Sequence, residues 1–77
     1  MNKEQKIEYV ANKLISFYFR NFESFSDYQK TSIKGASEIC KEFFDYWLNR
    51  NNNFNEEIFN KAITTVQYFI HNKQYIK

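Results

Sequence analysis

The sequence predicts an all-α chain: a single-domain three-helix bundle running up, down and up, with no β-sheet. Three observations carry that prediction. Apolar residues recur at helical rather than alternating spacing along three stretches of ~20 residues. Two zones of turn-favouring residues, residues 21–26 and the Asn-rich run 49–53, punctuate the chain between the stretches. Proline is absent and glycine occurs once, which removes the turn chemistry a β architecture of this size needs.

The first helix is predicted over about residues 3–22. On a helical wheel Ile7, Val10, Ala11, Leu14, Ile15, Phe17, Tyr18 and Phe22 share one arc, and Lys6, Glu8, Asn12, Lys13, Ser16, Arg20 and Glu23 fill the other. Two rings break the pattern. Tyr9 sits in the middle of the polar arc, and Phe19 lies just past the apolar edge.

The second helix is predicted over about residues 27–49. Ser26 and Gln29 have capping-box spacing, and Asp27 suits the positive end of the helix dipole. Ile33, Ala36, Cys40, Phe43, Phe44, Trp47 and Leu48 form an apolar face that stays in phase across Gly35, so one continuous helix is expected. Gly costs about 1 kcal/mol there relative to Ala. Tyr28, Gly35, Ile39 and Tyr46 make a narrower shoulder. Gly35 within it either admits another backbone at close range, is simply tolerated, or marks a local kink.

The third helix is predicted over about residues 56–74, with Asn55 as N-cap and Glu56 and Glu57 in the first turn. Phe54 and Phe59 have the spacing of a hydrophobic staple. Ile58, Phe59, Ala62, Ile63, Val66, Phe69 and Ile70 make the apolar arc.

Composition narrows the function. The 77 residues form one domain, and a chain this short buries only about 60% of the surface it exposes when unfolded. A deep catalytic cleft is therefore not expected. The single thiol, Cys40, lies on an apolar arc, and the single imidazole, His71, on a polar one. No nucleophile–base pair, metal-ligand spacing or phosphate-cradling Gly loop is present, so no enzyme activity, metal or cofactor is expected. One cysteine allows no internal disulfide. Residues 1–6 lack the apolar stretch of a secretory signal, and no run approaches the ~18 apolar residues of a membrane span. A cytoplasmic protein without membrane association is expected. The net charge of +2 is small, with Lys and Glu interspersed. Lys30, Lys34 and Lys41 have acidic neighbours on the same helix and read as a solvated face.

The positive signal is aromatic. Nine Phe, six Tyr and one Trp exceed what three arcs absorb. On the third helix Lys61, Thr64, Tyr68, His71 and Tyr75 recur at helical spacing, roughly opposite the apolar arc. Rings with a satisfied hydroxyl are enriched at protein interfaces. Lys61, Tyr68, His71 and Tyr75, with Tyr9, Phe19, Tyr28 and Tyr46, are the candidate partner-binding residues. The plain alternative is that these rings lie along neighbouring helices.

The expected function is non-enzymatic protein–protein association, with another protein or with itself. Phe, Tyr, Met, Ile, Asn and Lys make up more than half of the chain, a codon bias of AT-rich genomes. That bias and the small size point to an inhibitor or accessory protein of a phage or mobile element, directed at host machinery. The alternative is a small DNA- or RNA-binding regulator using the basic and aromatic face of the third helix, from Lys61 to Lys77. The low net charge and the lack of a short Gly-containing helix-turn-helix corner weigh against it.

Overall fold

The computed structural model describes residues 2–50 and 54–73, with residues 71–73 in backbone alone. The chain is all-α; no strand occurs among the described residues. Helix α1 is Lys3–Arg20, and a 3₁₀ turn, Phe22–Ser24, follows it. Helix α2 is Asp27–Thr31, α3 is Ile33–Phe43, and α4 is Glu56–Lys73. A π-helical turn, Phe44–Leu48, extends α3.

Each start is capped by a side chain. Asn2 and Gln5 form a reciprocal capping box on α1, with Asn2 Oδ1 accepting from the Gln5 N–H at 2.8 Å. Ser26 and Gln29 do the same on α2. The Asn55 carboxamide accepts from the Ile58 N–H at 2.9 Å and starts α4.

The continuous second helix expected over 27–49 is broken, and the break is at Ser32 rather than Gly35. Ser32 has an extended backbone (φ −108°, ψ 142°). Its hydroxyl oxygen accepts from the Gly35 N–H at 2.8 Å, which makes Ser32 the N-cap of a new helix. Its own N–H still donates to the Tyr28 carbonyl at 3.1 Å, closing α2. Helix and helix thus meet at a one-residue corner, tighter than the three- or four-residue turn of a helix-turn-helix motif. The break orphans the last carbonyls of α2. The Tyr18 hydroxyl, arriving from α1, donates to the Gln29 carbonyl at 2.8 Å and stands 3.3 Å from that of Lys30.

Three rods result. Lys3 pairs with Glu57 near the starts of α1 and α4, and the Phe19 and Phe69 rings meet near their ends, so these helices run parallel. Gln67 donates to Ser37, and Phe44 meets Phe59, so α3 runs antiparallel to α4. The up-down-up order therefore holds, within 34 × 23 × 19 Å.

Val10, Leu14 and Tyr18 of α1 meet Ala36, Cys40, Phe44 and Leu48, and Ile58, Phe59, Ala62, Ile63 and Val66 of α4. Each large side chain buried this way contributes about 1.5–3 kcal/mol of transfer free energy. No charged residue is buried among the described residues. Phe54 and Phe59 both pack on Phe44, with centroids at 6.3 and 5.1 Å. Two rings expected to point outward do not. Tyr9 is partly buried beneath Phe54 at 5.9 Å, because the segment entering α4 crosses over it. Phe19 is partly buried between α1 and α4. No helix among the described residues is long and apolar enough to cross a membrane.

Candidate functional site

The run Phe43-Phe44-Asp45-Tyr46-Trp47-Leu48 holds more apolar surface than one helical stripe can hide. It contains two parallel ridges at i,i+4 spacing, Phe44/Leu48 and Phe43/Trp47. Only one can face the core. The backbone widens here from i→i+4 to i→i+5 bonding, with the Asn49 N–H donating to the Phe44 carbonyl at 2.9 Å. That widening turns Phe44 and Leu48 inward, where they are buried, and swings Trp47 out. Trp47 is 70% exposed and Tyr46 67% exposed. Trp47 was expected on the core face; the wider turn takes it off. Ile33 was expected there too and is exposed, since it opens α3 beyond the corner at Ser32.

The second ridge meets α1, with Phe43 partly buried against the core and Trp47 outside it. Phe43 stacks on Phe17, with centroids 4.1 Å apart and planes 12° from parallel. Phe25 supports Phe17 from the loop after α1, at 5.7 Å. The stacked pair is a low wall between two open hollows. One, of about 200 Å³, is lined by Ile39, Glu42, Tyr46 and Trp47 besides the pair. The other, of about 220 Å³, is lined by Lys13, Ser16, Arg20 and Asn21 besides the pair. The Lys13 ammonium lies 5.5 Å from the Tyr9 ring centroid, and Arg20 Nη2 donates to Ser16 Oγ at 3.2 Å.

Of the expected partner-binding residues, Tyr46 lines this face and Tyr28 is exposed beside the corner. Lys61 and Tyr68 are exposed on α4, away from the face. The His71 side chain and Tyr75 lie outside the described residues. Tyr9 and Phe19 belong to the margin of the core. The described members of the expected set therefore do not converge on one patch. Helical periodicity places Phe17, Phe43 and Trp47 on core faces; Phe17 and Phe43 are partly buried, Phe43 against the core, and Trp47 is the one that leaves it. The signal was present as an excess: five large apolar side chains in six residues, Phe43 to Leu48, cannot share one side of a helix.

The two groups whose ionisation burial shifts, Cys40 and Tyr18, lie in the core rather than at the face. Burial pushes the Cys40 thiol up to about 12, so it stays protonated and inert inside the bundle. Burial, with Cys40 beside it, pushes the Tyr18 phenol up to about 12. Among the described residues no three His, Cys, Asp or Glu side chains gather closely enough to hold a metal ion. What the face offers is apolar area with a rim of mixed charge. Comparison with protein-family models, with curated proteins and with solved structures finds no match for the chain.

Proposed function

We propose that the chain is a non-enzymatic helical protein that works by protein–protein association, through the face formed by Phe17, Phe43, Tyr46 and Trp47. The observation that carries this is the exposure of Trp47 and Tyr46 on one turn, at 70% and 67%, beside a stacked Phe pair. Trp and Tyr in a central apolar patch are the side chains that most often dominate binding energy. Both hollows are open to solvent, where a small-molecule site buries most of its ligand. A role as inhibitor or accessory protein of a phage or mobile element rests on the size and codon bias alone.

A photo-crosslinking amino acid placed at position 47, and separately at the exposed Asn60 of α4, tests the reading in extracts of cells carrying the gene. Discrete adducts are expected from position 47, formed with another protein or with a second copy, and only background from position 60. An identical pattern from both positions, or none from position 47, overturns it.

A further inference from the structure

The face is divided into two halves of opposite character. On the α1 side stand Lys13 and Arg20; on the α3 side stand Glu42, Tyr46 and Trp47. The Phe17–Phe43 pair lies between the halves and belongs to both. Among the described residues, no carboxylate pairs with Lys13 or Arg20, and no cation pairs with Glu42. Their neighbours Lys41 and Asp45, by contrast, already pair with each other at 3.3 Å.

A patch that is cationic on one side of an apolar wall and anionic-aromatic on the other is complementary to itself. Turning a second copy by 180° about an axis through the wall brings each half onto its opposite. An isologous two-fold contact has this property: the same surface meets itself with its residues exchanged. We infer that the occupant of this face is a second copy of the chain, resting on the association reading above. In that dimer the Phe17–Phe43 walls pack at the axis. The Trp47 ring of each copy enters the Lys13–Arg20 hollow of the other, and Glu42 approaches the same two cations.

The dimensions agree. The receiving hollow, about 220 Å³, is an open groove with Lys13, Ser16, Arg20 and Asn21 around the Phe pair, so an indole rests along it with the cations above. An indole beneath a guanidinium gains a cation–π attraction. A standard interface takes ~800 Å² from each partner, about 15% of the 5239 Å² surface of one chain. Burying an aromatic side chain supplies about 150–250 Å². Trp47 and Tyr46, 70% and 67% exposed, supply most of the aromatic share of that area; Phe17 and Phe43 are already partly buried, so the charged rim supplies the rest.

Sedimentation of the intact chain, from low micromolar to about 1 mM, tests the inference. Expected are a monomer–dimer equilibrium and a blue shift of Trp47 emission, the only Trp of the chain, that follows the dimer fraction. The double reversal Lys13→Glu with Arg20→Glu, and the single reversal Glu42→Lys, are each expected to raise the dissociation constant about tenfold or more. All three side chains are exposed, so helical circular dichroism should be retained. Mixing the two variants restores both charge contacts and should restore the dimer. A wild-type chain that stays monomeric throughout, reversals that dimerise as well as wild type, or a mixture that does no better than either variant would overturn the inference. A monomeric wild type that still gives position-47 adducts with another protein rejects the second copy alone. Loss of the position-47 adducts altogether rejects the association reading beneath it.

Discussion

A Cβ atom on Gly35 would stand 2.3 Å from the carbonyl oxygen of Tyr28. That distance leaves no room for any side chain, and the obstacle is backbone rather than a flexible tip. The requirement for glycine is one of space: the one-residue corner at Ser32 folds α2 back until its carbonyl rests on the first turn of α3. An open helix would gain about 1 kcal/mol from Gly→Ala. At this corner the change must open the α2–α3 contact, and overpacking of this kind costs about 1–3 kcal/mol. Gly35→Ala is therefore expected to lower the urea midpoint. A higher midpoint would mean that α2 and α3 do not meet this way.

Tyr18 holds the other side of the same corner. Its hydroxyl is the donor to the Gln29 carbonyl that the break leaves without a helical partner. Tyr18→Phe keeps the ring and removes the donor, an expected loss of about 1–2 kcal/mol in chemical denaturation. An unchanged stability would assign that carbonyl to water instead.

The same burial predicts alkaline sensitivity. Cys40 and Tyr18 are raised from ordinary values of 9.0 and 10.0 to about 12 in the folded chain. Between those limits the unfolded chain has lost protons that the folded chain keeps, so rising pH favours unfolding. The stability these groups contribute is complete below about pH 9 and drains away toward pH 12. Urea midpoints at intervals across this range should fall, and fall less steeply in Tyr18→Phe. A flat profile would place both groups in solvent.

Phe44 and Trp47 test which ridge of the π-helical turn is buried. Phe44 is 1% exposed and Trp47 is 70% exposed. Phe44→Ala is expected to cost about 3–5 kcal/mol. Trp47→Ala should stay within about 0.5 kcal/mol, measured at low protein concentration so that association does not enter. Comparable losses would return Trp47 to the core and remove the exposed face.

Cys40 provides a direct probe of opening. Fully buried and protonated, it should react with a thiol reagent only as fast as the bundle unfolds. Rapid modification at neutral pH under native conditions would contradict its placement.

Much of the architecture is legible in the amino-acid order. Val10, Leu14, Ala36, Cys40, Ile58, Ala62 and Val66 repeat at helical spacing and are all buried. Ser26 and Asn55 announce helix starts by their chemistry and cap them. These features depend on residues within one or two turns of each other, so periodicity and local hydrogen bonding suffice to read them. Ser32 was less legible. A serine within an amphipathic run serves a helix interior or an N-cap equally well, and its neighbours do not choose.

The amino-acid order by itself determined three apolar faces, their capped starts and an excess of rings, because each is a local property of the chain. Tertiary structure alone decided where the chain bends and which rings stay outside. Gly35 and Tyr28 touch only because α2 folds onto α3. Phe44 and Phe43 compete for the core on equal hydrophobic terms. The contest is settled by Phe54 and Phe59, which come from the start of α4 to pack on Phe44, leaving Phe43 to Phe17 and Trp47 to solvent.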